Sequence, residues 1–115
     1  MGYNEQLANR VRETITVTHQ QVDEIKMFGG ICFMVNGKMC AGVQKERLLV
    51  RLDPAIFEQA IEEEGCMPME VSGKVSKGFV LVDGPELTTK KKLEYWLKLA
   101  LEYNPIAKSS KKKKK

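Results

Sequence analysis

The chain has 115 residues, of which 43% are hydrophobic and 30% charged, and a formal net charge of +4. That length excludes two full domains but allows one with a core of its own, and the composition is ordinary for a globular protein. The positive charge misleads: six lysines lie in the last eight residues, and without them thirteen basic residues face fifteen acidic ones, a mildly acidic −2.

Asn4 is placed to cap a first helix reaching about Ile15, with Leu7, Ala8, Val11 and Ile15 at helical spacing. Thr14, Thr16 and Thr18 should then let the helix fade. From Ile25 to Leu52 the pattern is that of strands, with Asn36-Gly37 as a two-residue hairpin turn and a second turn near Lys45-Glu46. Two-residue loops would set Val35 against Lys38 and Gln44 against Arg47. Strict alternation then gathers Cys32, Met34, Met39, Ala41, Val43, Leu48, Val50 and Leu52 on an apolar core face. The opposite face collects Ile31, Phe33, Val35, Lys38, Cys40, Leu49, Arg47 and Arg51.

Asp53-Pro54 opens a second helix with a stripe of Ile56, Phe57, Ala60 and Ile61, and Gly65 follows as its C-terminal glycine. Met67 to Val71 reads as a short extended segment. Gly78 to Asp83 reads as an interior strand, because Phe79, Val80, Leu81 and Val82 are apolar at every position. Thr88 or Thr89 caps a last helix to about Tyr103, with Leu93, Trp96, Leu97, Ala100 and Leu101 inward, and Asn104-Pro105 stops it. The predicted class is α+β, a mostly antiparallel sheet with helices packed on it in the order α-β-β-β(-β)-α-β-α. The domain should cover residues 1–105, and 106–115 should be a disordered lysine-rich tail.

The segment Lys26-Met27-Phe28-Gly29-Gly30-Ile31-Cys32-Phe33-Met34-Val35-Asn36-Gly37-Lys38-Met39 resembles the opening of the TfoX N-terminal domain family. The strand Leu48 to Asp53, the Cys66-Met67-Pro68-Met69 segment and Trp96 in the last helix are similar to later parts of the same family, and the likeness spans Asn4 to Tyr103. The resemblance implies a stand-alone α+β domain. It also implies a regulatory or protein-interaction role, as in the longer competence regulators that control DNA-uptake genes.

The residues nominate no catalytic group, cofactor or metal site, and an enzyme is not expected. Cys32, Cys40 and Cys66 form an odd set without CxxC spacing, against a disulfide framework or structural zinc. Cys40 is the best thiol candidate because Arg51 should lie opposite it, but a semi-exposed structural thiol is the default reading; His19 is the single histidine. Gly29-Gly30 precedes a strand rather than a helix, so a bend is expected there instead of a phosphate loop.

Phe33, Leu49, Arg47 and Arg51 on the mixed sheet face are the candidate contact surface for a protein partner or a homodimer, unless a terminal helix covers that face. Lys90, Lys91 and Lys92 at the start of the last helix are candidate anion contacts, with Lys74 and Lys77 in reach. Together with Lys111 and Lys112 of the tail they give the alternative function, a nucleic-acid-associated protein that binds phosphates weakly and without sequence preference. Residues 1–12 lack the apolar core of a secretory signal. The longest apolar run, Met27 to Val35, is too short to cross a membrane, so no membrane contact and a cytoplasmic location are expected.

Overall fold

The computed structural model describes residues 3–18, 21–27, 29–71 and 73–107, except for the side chains of Met27 and Val71. Among these, helix α1 (Glu5–Thr18) is followed by strands β1 (Val22–Met27), β2 (Gly30–Val35), β3 (Lys38–Gln44) and β4 (Arg47–Arg51). Helix α2 (Phe57–Ala60), strands β5 (Cys66–Val71) and β6 (Lys74–Val82) and helix α3 (Lys90–Tyr103) complete the chain. The strands form one antiparallel sheet in the order β1-β2-β3-β4-β6-β5, which is the α+β class expected, with β5 as a full strand. Strand β6 is interior, as its uniformly apolar run requires.

Local chemistry sets the helix ends. The Asn4 side chain accepts from the Leu7 amide at 3.0 Å, and Thr89 Oγ1 accepts from the Lys92 amide at 3.2 Å. Helix α1 runs three residues past Ile15. The Thr14 and Thr16 hydroxyls donate at 2.8 Å to the carbonyls of Arg10 and Arg12, so both side chains are satisfied within the helix. Asp53 caps as expected by accepting from the Ala55 amide at 2.9 Å, but a 3₁₀ turn at Pro54–Ile56 and four α-helical residues are all that follow. The carboxylates of Glu62, Glu63 and Glu64 oppose the helix dipole just there, and Gly65 turns the chain away at φ +77°.

Both tight turns hold the expected pairs, Val35 with Lys38 and Gln44 with Arg47. The pairing between them is not the simple one. Met34 faces Met39, but Phe33 faces Ala41, and Cys40 is an extra residue in a β-bulge. One inserted residue exchanges the two faces of β2 relative to β3 and β4. Ile31, Phe33 and Val35 therefore join Ala41, Val43, Leu48 and Val50 in the core, and Cys32, Met34 and Met39 leave it. This corrects the face assignment expected from strict alternation.

All three helices contribute to that core, α1 through Leu7, Ala8, Val11 and Ile15, and α3 through Leu93, Trp96, Leu97 and Ala100. Asn104 closes α3 onto the sheet. It is 2% exposed, its amide donates to the Val35 carbonyl at 3.0 Å, and its side-chain oxygen accepts from Asn36 at 2.8 Å. The Lys38 ammonium donates to the Asn104 carbonyl at 3.0 Å. The described chain continues through Ala107, which is buried; Lys108 to Lys115 lie outside the described residues.

Candidate interaction surface

The sheet has a second apolar cluster made of strand residues alone: buried Cys32, Met39 and Leu49, with Met34, Met69, Phe79 and Leu81 packed against them. Among the described residues no helix residue contributes to it. Register lines its side chains up in rows. Ile25, Cys32, Gly42, Leu49, Leu81 and Met67 oppose one another in turn across all six strands. A neighbouring row contains Asp23, Met34 and Met39, and on the other side of the sheet's middle Arg51 of β4 opposes Phe79 of β6. Four of the chain's six methionines, Met34, Met39, Met67 and Met69, lie on this face.

Arg51 stands at the rim. Its guanidinium is 5.6 Å from the centre of the Phe79 ring and 6.0 Å from that of Tyr103, and it donates to the Met39 carbonyl at 3.5 Å. Among the described residues it meets no carboxylate. Arg47 has one, Asp83, at 2.9 Å.

The four residues expected to share a contact surface are thus divided by the sheet. Leu49, Arg47 and Arg51 belong to the second face, where Leu49 is itself buried and only the two arginines reach solvent, while Phe33 is fully buried on the other side beneath α1. There the Arg12 guanidinium lies 5.8 Å from its ring centre and is paired with Glu24 of β1, which lowers the Glu24 pKa. Internal covering is what happens to Ile31, Phe33 and Val35, which share one core cluster with residues of α1 and α3. Met34, Met39 and Phe79 escaped notice because a bulge leaves no clear mark on sequence. The available signal was the run Phe79 to Val82, which demands apolar surroundings on both faces.

The lysines at the start of α3 sit among carboxylates. Lys92 is 3.5 Å from Glu86 and Lys90 is 3.9 Å from Glu94. A shallow depression beside them is lined by Glu63, Glu64 and Glu86 as well as Lys91. Tyr95 donates to Glu63 at 2.5 Å, and this bond pushes its phenol up to about 12. Lys74 opens β6 and Lys90 follows its far end, so nine residues of strand, roughly 30 Å, separate Lys74 from that cluster. Lys111 and Lys112 lie outside the described residues, as does His19. A cleft of about 960 Å³ between α1 and α3 runs over Leu93, Leu97 and Leu101, with Arg10, Glu13, Lys98 and Glu102 as mixed-charge walls.

Cys40 is 1% exposed, and burial pushes its thiol up to about 12 against the opposing pull of Arg51; Cys66 is likewise raised to about 11. These thiols stay protonated at neutral pH and offer no thiolate. The folded pKa of Cys40 lies above the ordinary 9.0, so the stability tied to its neutral form is complete below that pH and is lost as pH climbs toward 12. Thermal unfolding followed across this range should show a steeper decline for the natural chain than for Cys40→Ala. Equal slopes would mean that solvent reaches the thiol.

A family model described as TfoX N-terminal domain matches residues 14–103. Comparison with curated proteins and with solved structures gives no match.

Proposed function

The chain belongs to the TfoX N-terminal domain family, and from that premise we propose that it is a non-enzymatic regulatory module acting through protein contacts made by the uncovered sheet face. The observation that carries this reading is the apolar sheet face to which, among the described residues, no helix residue contributes: its centre is buried, but Met34, Phe79 and Leu81 stay half-buried and Ile25 is exposed. Contiguous apolar surface left open to water marks interaction sites. Methionine, aromatic residues and arginine are the types enriched where proteins meet, and methionine suits surfaces that must adapt to a partner. Met34, Met39, Phe79 and Arg51 are those types, placed side by side.

Photo-crosslinking separates this face from the helical one. Ile25 on the sheet and Tyr95 on α3 are almost equally accessible, at 44% and 45%. A photoreactive residue at position 25 should form protein adducts in cells, and one at position 95 should not. Adducts from position 95 alone would reject the sheet face as the contact surface.

A further inference from the structure

The turn between β2 and β3 carries a reactive pair of residues. Among the chain's four asparagines, only Asn36 is followed by glycine. Such a pair loses its side-chain amide more readily than other asparagine pairs, because no β-carbon shields the glycine nitrogen. Asn36 and Gly37 are both exposed, and they take φ +56° and +75° in the tight turn. A β-carbon added at Gly37 would meet nothing within 4 Å, so packing does not cover this nitrogen. The Asn36 side chain is nevertheless held. Its amide donates at 2.8 Å to the side-chain oxygen of Asn104, the residue that caps the end of α3. We propose that Asn36-Gly37 is a site of spontaneous deamidation guarded by the end of α3, and that conversion of Asn36 loosens that end from the sheet.

In the reaction the Gly37 main-chain nitrogen gives up its proton to water and attacks Asn36 Cγ. A bond forms between that nitrogen and Cγ, the Cγ–Nδ2 bond breaks, and ammonia leaves with a proton. Water then opens the cyclic imide. Opening at Cγ leaves aspartate, and opening at the main-chain carbonyl leaves isoaspartate, whose backbone is longer by one methylene. Nothing is oxidised or reduced. Ring closure must bring Cγ to the Gly37 nitrogen, and the hydrogen bond to Asn104 holds it back. The product has lost a donor: a carboxylate only accepts, so the Asn104 side-chain oxygen would face another acceptor. Asn104 is 2% exposed and its amide holds the Val35 carbonyl at 3.0 Å, so the mismatch falls on a buried clasp. The new carboxylate also competes for the Lys38 ammonium, which donates to the carbonyls of Asn104 and Pro105 at 3.0 and 3.3 Å.

Peptide mass spectrometry on the full chain, incubated at mildly alkaline pH, follows the mass gain at position 36. The folded chain should react there about tenfold or more slowly than the chain unfolded in urea, because the closed hairpin excludes the reactive geometry. Asn104→Ala should quicken the folded-state reaction by about fivefold, the effect of losing one hydrogen bond. That change also weakens the fold, so Val11→Ala, which empties a fully buried site on α1 outside the clasp, is the control, compared at equal stability. Only Asn104→Ala should be fast. Asn36→Asp stands in for one product. It should keep the hairpin, since Asp-Gly suits the same turn. It should raise amide exchange at Ile106 and Ala107, whose amides bond to the Tyr103 carbonyl at 2.9 Å, by about fivefold. Equal rates for Asn104→Ala and Val11→Ala, or a folded chain as reactive as the unfolded one, overturn the guard. Unchanged exchange in Asn36→Asp overturns the release.

Discussion

Phe33→Ala should lower the unfolding free energy by about 3–5 kcal/mol, the range for emptying an aromatic site in a packed core. The ring is fully buried, faces Ala41 across the bulged pair, and lies under α1 beneath the Arg12–Glu24 ion pair. Removing it strips contacts from α1 and from the middle of the sheet together. Phe33→Asp should leave no folded protein, because a buried carboxylate there would have no partner to offset its lost hydration. Guanidinium unfolding monitored at Trp96 measures the first, and circular dichroism the second. If Phe33→Ala cost less than about 1 kcal/mol, it would place the ring in solvent, and the bulge at Cys40 would be wrong.

Gly30→Ala should be comparably damaging for a purely spatial reason. A β-carbon at Gly30 would sit 2.1 Å from the Val43 carbonyl oxygen, which is backbone and cannot rotate aside. The β2–β3 ladder would have to part locally, at about 3 kcal/mol or more. Gly29 provides the contrast: its φ is +73°, and an added β-carbon would meet nothing within 4 Å. Gly29→Ala should cost about 1 kcal/mol, from backbone strain alone. Chemical denaturation of the two variants checks the ratio, and amide exchange at Ile31 and Val43 locates the damage. Equal losses would show that torsion, not the close approach of strands, governs this hairpin.

Much of the fold was legible because local signals agreed with one another. Asn4, Asp53 and Thr89 cap where their side chains allow, and Asn36 and Gly37 both take the positive φ their turn demands. The pairings at each turn followed directly. The sorting of side chains between faces did not, because it depends on whether one residue slips out of the ladder at Cys40. Cysteine fits a bulge and a regular strand equally well, so only the surrounding packing decides. Once Ile31, Phe33 and Val35 turn inward, the contact residues predicted around Phe33 fall on two sides of the sheet, and the methionines take its place. The extent of α2 was hidden for a similar reason, since capping specifies where a helix starts but not how many turns the packing will support.

Strands β1 and β5 lie at the two margins of the sheet. Along β1 run Asp23, Glu24 and Lys26, and β5 carries Pro68 in mid-strand beside an irregular step in its pairing. Charge and a missing amide are the devices that stop one sheet from being prolonged by another molecule's backbone. Another molecule's backbone therefore finds no ready margin on this sheet to prolong, and growth into a ribbon is blocked at both sides.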